Sequence, residues 1–105
     1  MMKLGDYTEG YGAELICPAC DGTHMHHERV EVFEREEDAV VGLHVTVADM
    51  QVTTDMSLEG NPSRRRDGLA IRFWCEECGG KSLLTISQHK GNTYCDFVAL
   101  EVNDI

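Results

Sequence analysis

The sequence predicts an all-β, mainly antiparallel domain. Three observations carry this. Apolar and polar residues alternate over several short segments, Gly/Asn-rich turns separate those segments, and two cysteine pairs sit far apart in C-x2-C spacing. No segment keeps a convincing helical period, and neither an internal repeat nor a low-complexity tract is present.

The elements follow in chain order. Residues 1–13 are polar and Gly-rich and read as a flexible N-terminal arm, leaving 14–105 as a single domain. Glu14–Cys17 reads as a short strand. His24–Arg35 reads as another, with Val30 and Val32 on one parity. A helical period through Val30, Phe33 and Val40 competes, but β-branched residues and the Glu36-Glu37-Asp38 turn favour the strand. Val41, Leu43, Val45 and Val47 alternate with Gly42, His44 and Thr46, predicting a strand with its valine side inward. The parity then changes to Met50, Val52, Met56 and Leu58, which calls for a bulge or turn near Ala48-Asp49. Glu59–Gly68 has loop chemistry. Leu69, Ile71, Phe73 and Cys75 share one parity, so this strand delivers Cys75 from its core side. Ser82–Gln88 and Thr93–Val102 form a last hairpin, with Gly91-Asn92 suited to positive φ.

The chain is short and thinly apolar. Its 105 residues support one domain, and Leu, Ile, Val and Phe make up 24 of them. That fraction lies just above the roughly 20% below which charged chains stay disordered, so an external staple would help. The net charge is −10, and all of it lies in residues 1–60, with 3 basic against 13 acidic groups; residues 61–105 carry 6 of each. The acidity peaks in Glu28–Asp38. It reads first as a solvated face and second as a surface for a basic partner. It disfavours nonspecific duplex binding, which needs Lys and Arg. The N-terminus has no apolar core of a signal peptide and no run long enough to span a bilayer, so a cytoplasmic, non-membrane protein is expected.

The cysteine pairs carry the chemistry. Cys17-Pro18-Ala19-Cys20 and Cys75-Glu76-Glu77-Cys78 are separated by 54 residues, and each is followed by glycine, at Gly22 and at Gly79-Gly80. Two such knuckles supply four thiolates, the set that zinc takes in closed structural sites. Cys17, Cys20, Cys75 and Cys78 are therefore the expected ligands of a structural Zn2+. Disulfides fit less well without a secretory signal. Trp74-Cys75 resembles the start of a thioredoxin-type dithiol, but Glu76 and Glu77 would oppose a reactive thiolate. Iron in a rubredoxin-like site stays open. The fifth cysteine, Cys95, lies in an apolar strand-like run and reads as a buried free thiol. His24, His26 and His27 read as turn or surface residues, with a substitute or second metal site as the alternative. Four thiolates close the coordination sphere, so catalysis is not expected.

The paired knuckles resemble the zinc-ribbon group, here with a β-strand insertion between them. Beyond the knuckles, the chain is similar to small uncharacterised zinc-ribbon proteins of bacteriophages and prophages. The similarity runs through Val30–Asp38, Gly60–Gly68, Phe73–Gly79 and Gln88–Thr93. It implies a bound metal and an origin in a bacterial host cell, and it transfers no activity.

Arg64-Arg65-Arg66 is the single basic run, and Trp74 alternates away from the Leu69–Phe73 face. Together they suggest a weak partner-binding set, which Arg72 and Lys90 would extend. An internal counterweight to Glu28–Asp38 is the plainer role for the arginines, and packing in a two-sided core is the plainer one for Trp74. The expected function is a non-enzymatic, zinc-stabilised binding or adaptor protein. Its partner would be a macromolecule, protein rather than nucleic acid, with homo-oligomerisation open. The alternatives are a nucleic-acid-binding ribbon using Arg64–Arg66 and an acidic nucleic-acid mimic that inhibits a host protein.

Overall fold

The computed structural model describes residues 2–101. Eight strands run in the order β1 (Leu4–Thr8), β2 (Gly12–Leu15), β3 (Met25–Glu34), β4 (Leu43–Ala48), β5 (Gln51–Asp55), β6 (Gly68–Cys75), β7 (Lys81–His89) and β8 (Asn92–Ala99). The described residues contain no helix, as the alternation predicts. Strands β1 and β2 form a hairpin of their own, and the other six form one sheet in the order β5-β4-β3-β6-β7-β8. All pairings are antiparallel. The segment read as an arm thus carries the first hairpin, closed by a Tyr11 N–H to Thr8 carbonyl bond of 3.0 Å. Its strands are short and mostly exposed, so no alternation advertises them.

Two-residue turns close the outer hairpins. Asp49 (φ 54°) and Met50 (φ 62°) join Ala48 to Gln51, and Lys90 (φ 51°) and Gly91 (φ 81°) join His89 to Asn92. Two successive positive φ values are the signature of the turn that matches strand twist. The parity change expected near Ala48-Asp49 is this chain reversal, after which Val52 returns opposite Val47 on the same face. The last turn is His89–Asn92, and its positive φ falls on Lys90 and Gly91 rather than on the expected Gly91 and Asn92.

The two faces of the large sheet are treated differently. The β5–β6 connection, residues 56–67, crosses one face over Phe33 and Gly68. A Cβ on Gly68 would lie 2.2 Å from Asn61 Oδ1 and 2.8 Å from Pro62 Cδ, so only glycine lets the loop lie this close. Ser63 Oγ donates to the Gln88 carbonyl at 2.7 Å, and the Gln88 N–H donates to the Asp67 carbonyl at 3.1 Å, pinning the loop. Phe33, Ala70, His44 and Thr46 are buried on this covered face. That reverses the parity expected for β4: His44 and Thr46 point under the loop, whereas Leu43 and Val47 are exposed. On the opposite face, Phe97 and Ser82 are buried next to the cysteines.

Candidate metal centre

Sheet topology brings the distant knuckles together. The first knuckle leads into β3, and the second begins at the last residue of β6. Strands β3 and β6 pair antiparallel with Met25 opposite Cys75, so the start of one lies at the end of the other. The Glu76 N–H donates to the His24 carbonyl at 3.0 Å and extends that pairing into the knuckles. The 54-residue gap is closed by a strand pair rather than by a compact ribbon. The second knuckle is also the β6–β7 turn.

The knuckles are built alike. In the first, the Cys17 N–H donates to the Gly22 carbonyl at 2.8 Å and the Asp21 N–H to the Cys17 carbonyl at 3.0 Å. In the second, the Cys75 N–H donates to Gly80 at 3.1 Å and the Gly79 N–H to Cys75 at 2.8 Å. The positive φ after each second cysteine falls on Asp21 (65°) and Gly79 (71°). Gly22 and Gly80 serve close approach instead: a Cβ on Gly22 would lie 2.5 Å from Glu77 Oε2 and 3.2 Å from Cys20 Sγ, and one on Gly80 3.2 Å from Cys78 Sγ. Backbone N–H groups of Ala19 and Gly80 donate to Cys17 Sγ and Cys78 Sγ, each at 3.4 Å.

The four sulfurs of Cys17, Cys20, Cys75 and Cys78 all lie within 4.8 Å of one another. Cys17 and Cys78 are 3.9 Å apart and Cys20 and Cys75 3.6 Å. A tetrahedron with metal–sulfur bonds of about 2.3 Å requires edges of about 3.8 Å. The donor set therefore fits one tetrahedral metal ion. All five cysteines are free thiols. Cys17 and Cys75 are buried and Cys20 and Cys78 exposed, so the site has a packed inner side and a wet outer one. Burial pushes the Cys75 thiol up to about 12, and the Gly80 N–H holds Cys78 below its ordinary value. A cation would displace these protons and make the cluster a four-thiolate centre.

The histidines stay outside the cluster. His24 Nδ1 bonds Glu77 and His26 Nε2 bonds Glu76, and Glu77 holds His24 above its ordinary pKa. Trp74 is 38% exposed and stacks on His26 at 4.7 Å. The acidic residues between the second pair of cysteines thus engage histidines that follow the first pair, bracing the two knuckles.

Other residues singled out by sequence lie elsewhere. Arg64–Arg66 occupy the loop before β6, whereas Trp74 lies near the far end of that strand. The six residue steps from Gly68 to Trp74 set them about 20 Å apart. Arg65 donates to both carboxylate oxygens of Asp38, at 2.8 and 2.7 Å, and Arg66 to Glu37 at 2.9 Å. Arg65 holds the Asp38 carboxyl below the usual range. Lys90 joins Arg65 and Arg66 along a groove of about 640 Å³, while Arg72 lies in β6 toward the metal end. Cys95 is exposed on the edge strand β8, not buried.

Sequence reasoning missed His44. It is 8% exposed and stacks on Phe33 at 4.4 Å. Its Nδ1 lies 2.8 Å from Asp55 and its Nε2 3.0 Å from Glu31. Burial disfavours its charge, but bonds to these two carboxylates outweigh that and raise its pKa. The only signal was a histidine alternating with valines, which reads equally as an exposed polar position.

Protein-family models, curated proteins and solved structures return no match to this chain. No helix among the described residues is long and apolar enough to cross a membrane.

Proposed function

We propose that this chain is a zinc-stabilised, non-enzymatic binding protein that docks a macromolecular partner, protein rather than nucleic acid. The four-sulfur cluster carries the reading: its donors and spacing suit zinc, and four thiolates leave no open position for a substrate. Free thiols throughout suit a reducing, cytoplasmic compartment. A phage or prophage source rests on the sequence resemblance. The ion pairs of Arg65 and Arg66 with Asp38 and Glu37 favour a protein partner, because a phosphate backbone would have to compete with them.

The test is metal content with partner capture by the zinc-loaded protein. One zinc per chain and a stoichiometric protein partner support the reading. A chain that folds without metal, or that turns over a substrate at its cysteines, overturns it. The groove holding Arg65, Arg66 and Lys90 sustains a nucleic-acid reading as the alternative. Retention on single-stranded nucleic acid at low salt, abolished by replacing Arg64–Arg66 with alanine, would establish it.

A further inference from the structure

The sheet face opposite the 56–67 loop is apolar across all six strands. In one cross-strand row, Val52, Val47, Val30, Ile71, Leu84 and Phe97 lie side by side. In the next, the order is Thr54, Val45, Val32, Leu69, Ile86 and Cys95. Neither row contains a charge, although the chain carries 28 charged residues. Of these side chains only Phe97, beside the first knuckle, is buried; Val47 is 43% and Val52 66% exposed. The β1–β2 hairpin is the other sheet among the described residues, and Ile16 and Cys17 beside it adjoin this face at its Phe97 end, whereas the β4–β5 end stays exposed. A sheet with one apolar face ordinarily buries it against another layer.

We propose that a second copy of this chain supplies that layer, the two apolar faces packing as a β-sandwich homodimer. The patch is self-complementary, because apolar side chains need no specific counterpart. Both rows are centred on the middle strands β3 and β6, so a twofold axis between the sheets places like against like. Six strands about 4.8 Å apart and two to three same-face steps deep give roughly 400–600 Å² in projection. That lies at the upper end of the patches that monomers expose and below the roughly 800 Å² per partner of a standard interface, which fits a dimer of modest affinity. Each copy carries −10, and Glu34 and Gln88 border the patch rather than interrupt it. Association is thus apolar contact working against charge repulsion.

Sedimentation equilibrium of the metal-loaded protein from 1 to 200 µM tests this. The expected result is a species of twice 11.8 kDa, with dissociation weakened at least threefold when salt rises from 50 to 500 mM. Val47→Lys with Val52→Lys, at positions exposed in the monomer, should give a monomer with unchanged circular dichroism. Val52→Lys alone serves if the double variant does not fold, and should weaken the dimer at least tenfold. A wild-type protein that stays monomeric throughout overturns the proposal and points to a different protein as the occupant. So does a dimer that survives the lysines or loosens with salt.

Discussion

Removing the metal should cost this chain a large part of its stability. A bound ion ties Cys20 to Cys75 across 55 positions. Treated as a cross-link, closing that loop removes unfolded-state entropy worth about 4 kcal/mol. Domains of this size have total stabilities of about 5–15 kcal/mol, and each kcal/mol shifts Tm by about 4–8 °C. Chelation should therefore lower Tm by about 15–30 °C, followed by far-UV circular dichroism or calorimetry with and without a high-affinity chelator. Cys78→Ser tests ligation with little change in packing, because Cys78 is exposed and serine is close to it in size. In excess zinc the variant should melt well below the wild type, and chelator should shift it far less. A wild-type Tm that moves by less than about 5 °C on complete metal removal would refute the staple argument. So would a Cys78→Ser variant that keeps the wild-type melting point.

Two further perturbations probe the covered face. Gly68→Ala sets a methyl against Asn61 and Pro62 and should destabilise by about 1–3 kcal/mol, measured by urea unfolding; an unchanged midpoint would mean that the loop is not packed there. His44 has a raised pKa, so its contribution is fully present below about pH 6.5 and lost as pH rises through the folded value. Asp55 has a lowered pKa, so its share is present above about pH 3.8 and lost as pH falls further. Tm should be highest between these limits, and His44→Gln should flatten the decline above pH 6.5; an unaltered profile would contradict the buried pairing.

The metal centre was legible because C-x2-C spacing is local and chemically restrictive. Its assembly was not, because the contact of Met25 with Cys75 depends on β3 and β6 pairing across fifty residues. The glycines near the knuckles were visible, but their separate tasks were not: positive φ falls on Asp21 and Gly79, and Gly22 and Gly80 allow close approach of neighbouring side chains. Strand β4 shows the limit of alternation. The valines marked one face correctly as apolar, and the inference that it points into a core assumed a layer that the described chain does not supply. The actual cover lies over His44 and Thr46, placed there by a Pro/Asn/Gly loop with no periodicity to read. Cys95 failed for the same reason: it lies on an edge strand at the end of the uncovered face.

The central claim is a four-thiolate zinc staple, and a paired measurement of bound metal and reactive thiols tests it most directly. Expected are one zinc per chain, four masked cysteines with Cys95 as the single thiol outside the metal site, and reaction of all five once the metal is removed. Rapid reaction of Cys17, Cys20, Cys75 and Cys78 in protein purified with zinc, or purification without stoichiometric metal, would contradict it.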